Sequence, residues 1–271
     1  MLNCIEKFIM KKILIVLALL LSGAAGYAQR GKLLWAEEFN YTGTPDTTRW
    51  KYDLGDGCPN VCGWGNNELQ YYTNHPENVY VKKGKLVIEA RKTDKEQPKF
   101  TSTRLVSKQD WQYGYIEVRA KLPNAVGSWP AIWMLPTEWK YGGWPASGEI
   151  DIMEHVGYDP GVVHGTVHTE AFNHSIGTQK GKQIQVPKFD RKFHRYAIRW
   201  TADKIDFFVD DKLYNTFAHT GGDYKEWPFD HPFHLLLNVA VGGNWGGKEG
   251  VDAASFPQRM EVDYVRVYAL E

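Results

Sequence analysis

Residues 147–156 read SGEIDIMEHV, and three carboxylic acids, Glu149, Asp151 and Glu154, fall within six positions of one another there. Side chains two apart on a β-strand share a face, so Glu149 and Asp151 point one way while Ile150 and Ile152 point the other. Glu154 breaks the parity. In a regular strand it would enter the apolar layer, where an unpaired carboxylate is strongly disfavoured. An extra residue at Met153, forming a β-bulge, would return Glu154 to the face of the other two acids, and bulges are over-represented beside active sites. At about 3.3 Å per residue the two glutamates would then stand roughly 13 Å apart at Cα. Leaning together over Asp151, they could bring their carboxyls to about 5 Å, the separation at which one acts as nucleophile and the other as general acid in retaining glycoside hydrolysis. A solvated outer face is the commoner fate of acidic residues in sheets. Against that reading, like charges crowded without an intervening Lys or Arg raise pKa values and cost stability. The strand alone leaves both readings open.

The segments that must position these acids are almost all β-like. KLVIEAR (85–91), YGYIEVRAKL (113–122), AIWML (131–135), GEIDIME (148–154), VVHGTVHT (162–169), HRYAIRW (194–200), KIDFFVD (204–210), FHLLLNVAV (233–241) and MEVDYVRVY (260–268) alternate or are rich in β-branched and aromatic residues. Gly, Pro, Asn and Asp separate them, and helical periodicity of useful length is missing. Short strands at close intervals predict an all-β fold, a β-jelly-roll sandwich of two antiparallel sheets, with a barrel as the alternative. A tight turn at Asp210-Asp211 joins two strands in an ordinary hairpin. Asn40-Tyr-Thr and Asn173-His-Ser are glycosylation sequons.

The balance of 32 basic and 32 acidic residues in a chain of 271 gives no support to nucleic acid or an anionic membrane as partner. Eleven tryptophans suit a sugar ligand, whose ring faces are C–H surfaces, and suit an aromatic core equally well. Lys11, Lys12, the apolar run Ile13–Leu21 and the small residues up to Ala28 read as an export signal. Met10 is an alternative start, and nine apolar residues are too few to span a bilayer. The expectation is a signal peptide over 1–28 and one catalytic domain over 29–271, secreted or periplasmic, monomeric and without a membrane anchor. Of the three cysteines, Cys58 and Cys62 lie four apart, a spacing compatible with a disulfide in an exported protein, while zinc lacks a second ligand cluster.

The pattern Glu-x-Asp-x-x-Glu resembles the catalytic strand of glycoside hydrolase family 16, in particular its bulged branch, which includes the laminarinases. WAEEFN (35–40), GWGNNELQYYT (63–73), LVIEARK (86–92), YGYIEVRAKLP (113–123), GSWPAIWMLP (127–136), GTVHT (165–169) and LLLNVAVGGNWGG (235–247) extend the resemblance, in order, over the mature chain. It implies an endo-acting 1,3-β-glucanase working by double displacement in a cleft on the concave face, with a β-glucan as partner. Mixed-linkage glucan remains open as substrate. Glu149 would be the nucleophile, Glu154 the acid and then the base, and Asp151 the residue that hydrogen-bonds the nucleophile and keeps Glu154 protonated. The resemblance further implies Trp129 and Trp133 as sugar platforms, His168 beside Asp151, Asn66 and Arg91 toward the non-reducing side, Asn238 as a further substrate contact on the strand face opposite Leu237 and Val239, and Trp245 over the leaving group. Trp129 and Trp133, four apart on one strand, could equally be core aromatics. No cofactor is implied for catalysis; a structural calcium would take Glu38, the backbone of Gly84 and Asp263. The alternatives are a non-catalytic β-glucan-binding protein, disfavoured by the presence of both glutamates, and agarase- or carrageenase-type specificity.

Overall fold

The computed structural model describes residues 30–94 and 96–271. The expected signal peptide, with Cys4 and the alternative start at Met10, lies outside the described residues. Strands run in the order β1 (Leu33–Glu37), β2 (Trp50–Asp53), β3 (Gln70–Tyr72), β4 (Val79–Val81), β5 (Leu86–Lys92), β6 (Phe100–Ser102), β7 (Arg104–Trp111), β8 (Gly114–Lys121), β9 (Ser128–Pro136), β10 (Glu149–His155), β11 (Val162–His168), β12 (Lys180–Gln185), β13 (His194–Trp200), β14 (Lys204–Val209), β15 (Lys212–Ala218), β16 (Phe233–Val241) and β17 (Gln258–Tyr268). Three short 3₁₀ turns are the only helical elements among the described residues. None of these is long and apolar enough to cross a membrane.

The strands make two sheets. One has seven strands in the order β12-β11-β10-β9-β16-β7-β2. The other has ten, built around β15-β14-β13-β8-β17-β5-β6-β3 with β1 and β4 attached at β17 and β5. Pairing is antiparallel as expected, apart from the parallel pair β3–β6. The core lies between the sheets. Ile116, Val118, Tyr196, Ile198 and Val265 from the larger sheet meet Ile132, Met134, Ile150, Leu235 and Leu237 from the smaller one, all buried. Alternation explains the division, because the intervening residues of β9, β10 and β16 face outward on the seven-stranded sheet and line a cleft.

At the β14–β15 hairpin Asp210 and Asp211 both adopt positive φ (50° and 68°), the two-residue turn whose twist matches the strands it joins. Asn173 is buried, and its side-chain amide donates to the carbonyls of Thr169 and Glu170, so this sequon serves as a turn rather than an exposed acceptor.

Candidate active site

The acidic strand β10 is bulged where the parity of its sequence requires. Against β9, Asp151 faces Trp133 and Met153 faces Ile132, so Ile152 is the residue without a partner; against β11 the register slips between Asp151–Thr166 and Glu154–His164. The bulge thus occupies Ile152 and Met153 together, and on the β9 side Met153, the expected extra residue, keeps its partner. Ile152 and Met153 both point into the core, 1% and 0% exposed, and the next residue, Glu154, returns to the cleft. Glu149, Asp151 and Glu154 therefore line one face. Gly165, opposite the bulge, leaves no room for a side chain: a Cβ there would stand 2.2 Å from the Tyr214 hydroxyl oxygen.

The cleft has a volume of about 400 Å³. Trp144 Nε1 donates to Glu149 Oε2 (2.5 Å), and Trp129 Nε1 donates to Glu154 Oε1 (3.1 Å). His168, the cross-strand neighbour of Glu149, sets its Nε2 3.3 Å from Asp151 Oδ2. One oxygen each of Glu149 and Asp151 and one nitrogen of His168 lie within 4.8 Å of one another, the one grouping of His, Cys, Asp and Glu side chains among the described residues close enough to share a cation.

All three carboxyls titrate above the ordinary range. Burial, then the neighbouring Asp151 charge, pushes Glu149 up to about 8. Burial and the Glu149 charge push Glu154 up to about 7, opposed by His168 and by the Trp129 hydrogen bond. Burial and Glu154 hold Asp151 well above the carboxylate range, with a hydrogen bond to Glu149 acting the other way. The free cleft thus orders Glu149 above Glu154, the reverse of what an ionised nucleophile and a protonated acid require.

Trp129 and Trp133 both line the cleft, and Asn238 lies between them and β7, accepting from Trp133 Nε1 at 2.7 Å. Asn66 lines the rim and its carbonyl accepts from the Asn244 N–H (2.7 Å). Trp245 packs edge-on to Trp129 (ring centroids 5.5 Å) and to His164 (4.9 Å), beside the Glu154 end of the site. Arg91 is not brought to the cleft. It sits on β5 in the ten-stranded sheet, where its guanidinium pairs with the buried Glu89, a carboxylate too costly to leave alone. The cation in the cleft is Arg104, stacked 3.8 Å over the Trp64 ring and held by Asp53 at 2.8 Å. The carboxylates expected for calcium have other partners. Glu38 is held by Arg266 at 2.8 and 2.9 Å, Asp263 is paired with Arg119, and Gly84 sits at positive φ in the turn between β4 and β5. With each carboxylate engaged by an arginine, these residues do not fit a calcium site.

Sequence reasoning missed Trp144, His174, Arg104, Trp64 and Trp139, all of which line the cleft. All but Arg104 stand in loops or short 3₁₀ turns, where no periodicity announces a face; the signal for Trp144 is its position five residues before Glu149. Cys58 and Cys62 are disulfide-bonded, closing the loop that carries Val61 and leads to Trp64 at the rim.

A two-layer β-sandwich with paired glutamates in an aromatic cleft is the architecture of a polysaccharide-cleaving hydrolase. Residues 66–266 match the family model described as Glycosyl hydrolases family 16. The chain is 52% identical over 266 residues to a β-glucanase of Rhodothermus marinus, covering 94% of this chain and 91% of that protein. The X-ray structure of the laminarinase from Rhodothermus marinus superposes with a TM-score of 0.84 at 52% identity, over 89% of this chain and 98% of the other. A non-specific endo-β-1,3(4)-glucanase, crystallised with 1,3-β-D-cellobiosyl-glucose at its active site, is 49% identical with a TM-score of 0.82, over 88% of this chain and 95% of its own. The chain belongs to glycoside hydrolase family 16.

Proposed function

We propose that this glycoside hydrolase cleaves 1,3-β-glucan internally, by double displacement with retention of configuration. The observation that carries the reading is the bulged strand. It presents Glu149 and Glu154 from one face, each oriented by a tryptophan N–H, with Asp151 between them. Glu149 attacks the anomeric carbon while Glu154 passes its proton to the glycosidic oxygen, so the bond to the leaving sugar breaks as the bond to Glu149 forms. Glu154, now a carboxylate, takes a proton from water, whose oxygen displaces Glu149 from the sugar. A proton held on Asp151 works against the inverted order of the free cleft. Asp151 can then donate to Glu149, which removes the repulsion that adds to burial in raising Glu149 and favours its ionised form.

Trp129 and Trp133 supply apolar faces for sugar rings, Asn66 and Asn238 supply edge hydrogen bonds, and Trp245 adjoins the leaving-group side at Glu154. The run at 11–28 and the Cys58–Cys62 disulfide support export. The 1,3-linkage reading rests on the glucanase relatives. Incubation with laminarin, lichenan, agarose and carrageenan tests it. Laminarin is expected to shorten to a ladder of oligosaccharides, and loss of that activity is expected in Glu149→Gln. Cleavage of agarose or carrageenan alone, or undiminished hydrolysis by Glu149→Gln, would overturn the assignment.

A further inference from the structure

Trp133 is held by a chain of hydrogen bonds that leads away from the catalytic acids. Its Nε1 donates to Asn238 Oδ1 (2.7 Å), Asn238 Nδ2 donates to the Tyr72 hydroxyl (3.0 Å), and that hydroxyl donates to Glu68 Oε2 (3.3 Å). A second donor converges on the same oxygen, Gln70 Nε2 at 2.6 Å, and Gln70 is itself fixed because its Oε1 accepts from the Val241 N–H at 2.7 Å. Tyr72, Gln70 and Asn238 are 2%, 0% and 5% exposed, so no member turns to solvent to exchange its role.

The direction of every bond follows from one end. Glu68 Oε2 acts as acceptor, so Tyr72 spends its only proton there and must accept from Asn238. The amide of Asn238 therefore faces Tyr72 with its NH₂ and Trp133 with its oxygen. An indole N–H can only donate, so this is the one amide orientation that satisfies it. We propose that Glu68 and Tyr72 are positioning residues which, through Asn238, set the plane of Trp133 and with it the affinity for the sugar stacked there. The proposal deepens the glucanase reading and rests on it for the identity of the sugar, though not for the geometry of the chain.

The test uses two readouts in the Glu149→Gln background, where ligand is not consumed: the Trp133 indole N–H signal in a ¹⁵N–¹H spectrum, identified by its loss in Trp133→Phe, and the dissociation constant for laminarihexaose by calorimetry. Tyr72→Phe and Glu68→Leu are each expected to move the indole signal toward that of an exposed tryptophan and to speed its hydrogen exchange. Both are expected to weaken binding about tenfold, the worth of one hydrogen bond at a buried site. Tyr72→Phe combined with Trp133→Phe should weaken binding no further than the larger single effect.

Moving the acceptor to the other end should rescue the chain. In Glu68→Leu with Asn238→Asp, Tyr72 turns its proton to the new carboxylate, and Trp133 regains a fixed acceptor. The indole signal and the affinity are expected to return to within about twofold of the parent. An unmoved indole signal, additive losses, or a double variant no better than Glu68→Leu would overturn the proposal. Should Tyr72→Phe fail to fold, Glu68→Leu and its rescue decide the matter alone. If the parent does not bind laminarihexaose while the indole signal responds as stated, the substrate assignment fails and the positioning role stands.

Discussion

At the residue scale the cleft concentrates three acids that burial and mutual repulsion keep protonated to unusually high pH. Toward acid Glu149 gains a proton and the nucleophile is lost; toward alkali Glu154 loses the proton it must deliver. With values of about 8 and about 7, a bell-shaped kcat/KM profile on laminarin is expected, with limbs near those values that belong to the cluster as a unit. In Glu154→Gln assayed on a β-glucoside of an acidic phenol, whose departure needs no proton, the alkaline limb should vanish; a surviving limb would assign it to another group. The same shifts bear on stability. Each folded value lies above the unfolded value of 4.5, so ionisation disfavours the folded chain: the penalty is absent below about pH 4.5 and grows as the pH rises through about 7 to 8. Glu149→Gln should therefore raise Tm at pH 8.5 by several degrees and leave it nearly unchanged at pH 4. An increase independent of pH would show that repulsion is not the cause. That the three acids share a face was legible from their spacing, and that Trp129 and Trp133 line the cleft from the family resemblance. Arg91 lies outside the cleft and the carboxylates expected for calcium are paired with arginines, because a motif carries a position while the nearest opposite charge decides where the side chain goes. Glu89, Arg119 and Arg266 were those charges.

At the element scale the bulge in β10 is what makes the site, and its counterpart is Gly165 on β11. A methyl group there meets the Tyr214 hydroxyl oxygen at 2.2 Å and Phe207 at 2.8 Å, so Gly165→Ala forces β11 or Tyr214 to move, at an expected cost of about 1–3 kcal/mol. Lower Tm and lower kcat are expected together, measured by calorimetry and laminarin hydrolysis, with partial recovery of both on adding Tyr214→Phe, which removes the closest atom. Full activity in Gly165→Ala would mean that the bulge does not depend on this close packing. The strands of alternating sequence were legible nearly to their ends; 194–200 and 233–241 match β13 and β16 residue for residue. The short strands β3, β4 and β6, three residues each, were not, because alternation needs more length than that to be distinguished from loop, and β1, β2 and the polar-rich β7 and β12 were missed as well. The bulge was readable because a misplaced charge is a stronger signal than a missing hydrogen bond. That it spans Ile152 as well as Met153 required the ladder on both sides of β10.

At the scale of the whole molecule, one core joins two sheets, and the outer face of the smaller sheet is left to bind sugar, its rim built from loops. The disulfide closes one such loop. By the loop-entropy relation, so short a ring contributes about 2 kcal/mol. Cys58→Ser with Cys62→Ser should lower Tm by a few degrees and raise KM for laminarin through loosened Val61 and Trp64, with kcat little changed; a fall in kcat alone would place the loop's influence at the acids. The central claim is that Glu149 and Glu154 work as nucleophile and acid on one face of a bulged strand, and the stereochemistry of the first product tests it most directly. Proton NMR of laminarin in the first minutes of hydrolysis should show the new reducing ends appearing as the β-anomer, with the α-anomer growing in only by mutarotation. The α-anomer appearing first would mean single displacement by water and would contradict the roles of both glutamates.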